Sequence, residues 1–202
     1  MPIRNRGYIY CRYRYEKLDN SIIVSILEPL LRKRFFYFIV KDMREIRRKD
    51  RVLDELRAKE LLAEGEYGFL AMVNADGGGY GVPLSYAVAE GEEAIYFHCA
   101  PEGHKLINLD ADNRVTFTVV GHTQVIPGQF TTAYECVIAF GRIERRLPET
   151  DRLRALRLLV AKYSAGFEEI AEKYIKGSFA RTEILKLNVE HISAKAKKIP
   201  VF

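Results

Sequence analysis

The chain is short of cysteine, and the shortage removes several chemistries. Cys11, Cys99 and Cys136 are far apart and odd in number. No CxxC pair or Cys/His ligand spacing occurs, so no metal site is expected and a reducing, cytoplasmic compartment is. A phosphate-binding glycine motif is also missing. Asp76-Gly77-Gly78-Gly79 matches neither GxGxxG nor GxxxxGK[ST] and reads as a hairpin turn. Long apolar runs are lacking too. The stretches 22–31 and 35–40 fall short of the roughly 18–20 residues that span a bilayer, and no signal-peptide pattern is present. Finally, the body of the chain lacks charge of one sign. Residues 1–42 hold nine Lys/Arg and four Asp/Glu, which accounts for the whole net charge of +5; the other residues hold 23 of each sign. Such a body does not attract a polyanion, so nucleic acid is not expected as a partner.

Residues 1–42 differ from the rest. Arg and Tyr alternate from Tyr8 to Tyr15, and the two apolar runs flank Arg32-Lys33-Arg34. Three readings are open: a membrane-surface anchor, a partner-binding arm, or a non-native extension with translation starting at Met43. The last is the expectation, because Met43 leads directly into a polar segment that suits the opening of a soluble domain spanning 43–202.

From there the pattern is regular. A helix is predicted from Asp50, as cap, to Glu64, with Gly65 ending it. Tyr67–Asn74 and Tyr80–Ala89 read as paired strands, and Pro83 marks the second as an edge or a bulge. Ile95–His98 is a strand, Ala100-Pro101-Glu102-Gly103 a break, and a short helix follows it. Val115–Val119 is a strand, Gly121–Gly128 an irregular segment, and Phe130–Glu144 a long strand with a bend or bulge at Gly141. Helices are predicted over 148–163 and 167–174, and a last strand over 182–192. Arg152, Arg154 and Arg157 read as a solvated helix face. Six strands joined mostly by tight turns, with helices at the ends and in two connections, predict a mainly β fold with α. The expected form is a six-stranded antiparallel split β-barrel with flanking helices.

His98, His104 and Lys105 cluster around the junction of a strand and a helix. Free N–H groups at a helix start beside cationic side chains make an anion site. His98 suits either a satisfied core position or proton transfer near neutral pH. Cys99 alternates to the opposite face and reads as packing, as does Cys136. His122 reads equally as a lid residue or as ordinary loop polarity.

The segments Gly65–Ala71, Tyr80–Tyr86, Ile95–Lys105, Asn113–Phe117 and Tyr134–Gly141 together resemble the FMN-binding split-barrel proteins of the pyridoxamine 5′-phosphate oxidase superfamily. Within it, the chain is most similar to the nitroimidazole-resistance (Nim-type) branch. The resemblance covers about Arg47 to Lys195. It implies a homodimer with FMN at the interface. A strand matching Val82, Pro83, Leu84 and Ser85 would run along the isoalloxazine ring, and Gly103-His104-Lys105 would reach the phosphate. His98 would lie near flavin and substrate. The strand with Thr131, Thr132, Tyr134 and Glu135 would lie close to the cofactor. Where the oxidases usually carry Arg-Lys, this chain has His104-Lys105, one fixed charge fewer. The oxidases' C-terminal arginine pattern for pyridoxamine phosphate is not found. The expected function is an FMN-dependent oxidoreductase acting on a small nitroaromatic or similar acceptor; the alternative is a non-catalytic flavin- or haem-binding protein on the same barrel.

Overall fold

The computed structural model of the protein describes residues 45–198. The expectation for residues 1–42 lies outside the described residues. Lys49–Arg51 form a short 3-10 turn, and Val52 bridges to Lys195. The helix then starts later than predicted. Asp50 is held by Arg48 at 2.6 Å, and Asp54 caps α1 (Glu55–Glu64) by accepting from the Arg57 N–H at 2.8 Å.

Seven strands follow: β1 (Tyr67–Val73), β2 (Gly79–Ser85), β3 (Ala87–Val88), β4 (Ala94–Cys99), β5 (Arg114–Ile126), β6 (Thr131–Glu144) and β7 (Glu183–Lys197). α2 (His104–Ala111) lies between β4 and β5. α3 (Glu149–Tyr163) and α4 (Glu168–Ser178) lie between β6 and β7. All described pairings are antiparallel, in the order β2-β1-β5-β6-β7-β4-β3.

The mainly β antiparallel fold agrees with the expectation; the count of six strands does not. The predicted strand 80–89 is split at Tyr86. Its first part pairs with β1 and its second with β4. The two edges of the sheet are therefore joined by the single residue Tyr86. That link obliges the sheet to roll into a barrel which the ladders do not close, the split form expected. Pro83 lies on β2, an edge strand, the part of a sheet that tolerates a missing N–H.

Residues 121–126, predicted to be irregular, continue β5 after a register shift between Val120 and Thr123. Pairing with β6 carries the strand where alternation fails. The ladder of β6 and β7 also shifts, between Phe140 and Gly141. A Cβ on Gly141 would stand 2.0 Å from the Asn188 carbonyl oxygen, so only glycine admits this approach.

The barrel interior holds Leu70, Ile95, Phe97, Phe117, Val137 and Leu187, all buried. Phe117 meets Phe97 and Tyr86 edge-on at 4.9 and 4.8 Å between ring centres. α1 packs Ala58, Leu61 and Leu62 onto this core. A second cluster joins Tyr96 and Ile184 to Ala155 of α3. β4 is thus buried on both faces through Phe97, which is why its sequence is continuously apolar. In contrast, Tyr67, Phe69 and Val73 on β1 are exposed.

Candidate functional site

β3 and β4 pair as Ala87↔Tyr96. Continued by two residues, that register sets Ser85 opposite His98 and on the same face of the barrel. Ser85 is also the partner of Tyr67 on β1. The split between β2 and β3 therefore brings together two residues that are far apart in the sequence.

Both line a groove of about 580 Å³ whose other walls are α3 and α4. α3 contributes Leu156, Leu159, Val160 and Tyr163, at helical spacing. α4 and its cap contribute Phe167, Ile170, Ala171, Tyr174 and Ile175, again on one face. Ile175 is buried, but Phe167, Ile170 and Tyr174 are 62%, 52% and 74% exposed. Much of the apolar stripe on α4 is thus left uncovered by the described residues.

His98 keeps an exposed edge, yet enough protein surrounds the ring to disfavour its charged form. Burial lowers its pKa, and the charge of Lys105 lowers it further. At neutral pH the imidazole is uncharged and can accept a hydrogen bond at one nitrogen and donate from the other. Neither it nor the Ser85 hydroxyl has a hydrogen-bond partner among the described residues. Lys105 is half-buried in the first turn of α2 and has no ion-pair partner among the described residues. The ring of His104, its neighbour, lies 4.4 Å from that of Tyr80, at 46°. Gly103 precedes the helix with φ 131°, a conformation that favours glycine, and open space surrounds its missing Cβ.

Val82 and Leu84 pack toward the core, whereas Pro83 and Ser85 are exposed. Among the described residues no strand pairs with the outer side of β2, which presents backbone groups without ladder partners. Cys99 packs against the core, opposite His98, and burial raises its pKa. Burial raises that of Cys136 as well. Glu135 is held by Arg57 at 2.7 Å. His122 is an exposed residue of β5, not of a loop.

Several residues were missed by sequence reasoning. The Tyr163 hydroxyl accepts from the Tyr86 N–H at 2.8 Å and lies within donating distance of the Glu66 and Tyr86 carbonyls, at 2.7 and 2.8 Å. Tyr86 in turn donates to the Leu62 carbonyl. The end of α3 therefore clamps the one residue that joins the edges of the sheet. Lys162 stacks over the Tyr86 ring at 3.7 Å, and burial lowers its pKa to about 8. Arg152 is not solvated as predicted. It donates to the Phe179 and Thr182 carbonyls at 2.8 and 2.7 Å and covers the Phe179 ring at 4.0 Å. The run of arginines hid this, since only Arg154 and Arg157 face outward, to Glu92 and Glu172. The 3.6-residue period of 167–178 was the signal available for the α4 wall.

The arrangement fits a flavin in two respects. Lys105, beside free N–H groups at a helix start, suits a phosphate, and an open strand edge suits the polar rim of a ring system. Among the described residues no cluster could hold a metal ion, and no helix is long and apolar enough to cross a membrane.

Residues 54–196 match the family described as pyridoxamine 5′-phosphate oxidase. A comparison with curated proteins gave no match. Among solved structures, a protein described as a 5-nitroimidazole antibiotic resistance protein from Bacteroides thetaiotaomicron is similar at 18% identity and TM-score 0.58, over 73% of this chain and 90% of that one. An FAD-binding protein from Mesorhizobium loti is similar at 23% identity and TM-score 0.54, over 73% and 98%. A flavocytochrome from Azotobacter vinelandii is similar at 19% identity and TM-score 0.65, over 79% and 75%. At these identities the likeness concerns the fold.

Proposed function

Because the chain belongs to the pyridoxamine 5′-phosphate oxidase family, we propose that it is a flavoprotein that binds FMN as a homodimer and reduces a small nitroaromatic or similar acceptor. The observation that carries this reading is the meeting of Ser85 and His98 across the split of the barrel, in a groove close to Lys105. Solved relatives of the same fold are described as binding FAD or as a flavocytochrome, and one as a nitroimidazole resistance protein.

A bound flavin supplies the redox chemistry. The chain supplies binding and orientation. Lys105 holds the phosphate, with His104 beside it. The backbone of Val82, Pro83, Leu84 and Ser85 lies along the ring. His98 is the catalytic candidate: neutral at working pH, it exchanges a proton with the acceptor at one ring nitrogen. The apolar walls of α3 and α4 give the acceptor a surface to pack on. Tyr67, Phe69 and Val73, exposed on one face of β1, give a second copy an apolar surface to cover.

The absorption spectrum of the purified protein is the test. Yellow protein, or uptake of added FMN, supports the reading; protein that stays colourless with FMN overturns it. Lys105→Ala should weaken FMN binding, and an unchanged affinity removes Lys105 from the phosphate site. Bleaching by NAD(P)H with turnover of a nitro compound separates enzyme from carrier. A second reading, haem in place of flavin, draws on the neutral imidazole of His98 in an apolar groove; a haem Soret band in the same spectrum would select it.

A further inference from the structure

The groove between α3 and α4 is more selective than its size suggests. No carboxylate, ammonium or guanidinium lines it, and the His98 imidazole is its one ionisable nitrogen group. Its polar groups are the His98 imidazole and the hydroxyls of Ser85, Tyr163, Ser164, Tyr174, Ser178 and Thr182. The Thr182 hydroxyl is already engaged, donating to the Ser178 carbonyl at 3.0 Å. The Tyr163 and Ser178 hydroxyls are engaged as well, so at the strand end of the groove Ser85 and His98 are left to meet a ligand. The opposite wall is aromatic and aliphatic, and its outermost members Phe167, Ile170 and Tyr174 are exposed.

Each property bears on the occupant. An anion or cation entering an apolar groove gives up water and finds no opposite charge among the side chains that line it, which is costly. Flat rings stack favourably between Phe167, Tyr174 and Tyr163. The volume of about 580 Å³ lies within the range of small-molecule sites. Lys105 belongs to the phosphate site in the reading above, and neither it nor Lys162 lines the groove.

Resting on that flavin reading, we propose that the α3–α4 groove seats the acceptor and selects flat, uncharged ring compounds, with Phe167, Ile170 and Tyr174 as the residues that set specificity. A polar substituent at one end of the ring bonds Ser85 and His98, while the ring itself lies along α4. Substrates that carry a phosphate or carboxylate are rejected.

The test compares two nearly isosteric probes, neutral p-nitrobenzamide and anionic p-nitrobenzoate. Both are titrated by calorimetry into the protein, with and without FMN, near neutral pH. The amide should bind at least about tenfold more tightly than the acid. Ala171→Trp, which fills the groove, should abolish amide binding and leave FMN uptake intact. Ile170→Lys, at an exposed position, should reverse the preference by giving the carboxylate a partner. Equal affinities for the two probes, or amide binding untouched by Ala171→Trp, overturn the proposal. So does loss of FMN uptake in Ala171→Trp, which gives the groove to the flavin. A shift of that variant from dimer to monomer gives it to a second copy and also overturns the proposal. If the unaltered protein takes up no FMN, the flavin reading fails by itself, and the calorimetry on cofactor-free protein still decides what the groove selects.

Discussion

Replacing Lys162 by Met should stabilise the protein, and the size of the effect can be worked out. The Lys162 ammonium is buried without a hydrogen-bond partner among the described residues. Burial takes its pKa from 10.5 to about 8. In a fully dry site such a fall corresponds to about 3 kcal/mol against the charged form. The side chain is only partly buried, and solvent screening leaves roughly half, about 1.5 kcal/mol. The cation above the Tyr86 ring gives back about 0.5 kcal/mol. Methionine keeps the apolar stem and removes both effects, so Lys162→Met should gain about 1 kcal/mol, or roughly 2–4 °C in Tm. The pH dependence has a fixed sign. The folded pKa lies below the unfolded one, so between these values the unfolded chain binds more protons. The parent protein therefore gains stability as pH rises from about 8 to 10.5. The advantage of the variant is full below pH 8 and vanishes above the unfolded value. Urea unfolding followed by circular dichroism across that range measures it. A variant less stable than its parent at neutral pH, or an advantage that does not shrink as pH rises, would refute the reasoning.

Three further outcomes are expected. Tyr163→Phe removes the acceptor of the Tyr86 N–H, and leaving that buried group unsatisfied should cost about 1–3 kcal/mol in urea unfolding. The His98 imidazole, titrated by NMR, should lose its proton below its ordinary value of 6.5. Lys105→Gln should bring it back upward, and an unmoved titration would show that the two groups do not sense each other. As pH falls toward the ordinary histidine range, this lowered pKa makes His98 a destabilising contributor, because the unfolded chain takes up the proton first. Gly141→Ala forces a Cβ against the Asn188 carbonyl, which cannot move without breaking the ladder of β6 and β7. A loss of about 1–3 kcal/mol in thermal or urea unfolding is expected, and an unchanged midpoint would mean that the bulge opens freely.

Local patterns in the sequence carried most of the fold. Alternation over 67–73, apolar residues at helical spacing in α3, and the glycines after Asp76 each act within a few residues, and each was legible. What escaped was set by partners distant in the chain. Tyr86 looks like any aromatic residue of a strand, because nothing nearby tells that its two sides pair with β1 and with β4. Residues 121–126 lack alternation, and only β6 makes them a strand. Asp50 and Asp54 are equally good caps by type; the bridge from Val52 to Lys195 keeps the chain extended between them. The site divides in the same way. His98 and Lys105 share one stretch of sequence and were visible as a cluster. The α4 wall of the groove was not, since an apolar face on a helix ordinarily signals a core.

The place of β7 has a consequence for how the chain is made. β7 stands between β6 and β4 and is what attaches the β3–β4 hairpin to the rest of the sheet. On the ribosome, β1, β2, β5 and β6 can assemble as soon as they emerge. The β3–β4 pair must wait, with its apolar faces unsatisfied, until residues 183–197 have been synthesised. Long-range pairing of this kind is slow and exposes aggregation-prone strands in the interval. A nascent chain stalled before Glu183 would hold an incomplete sheet, and that interval is when a chaperone would matter most.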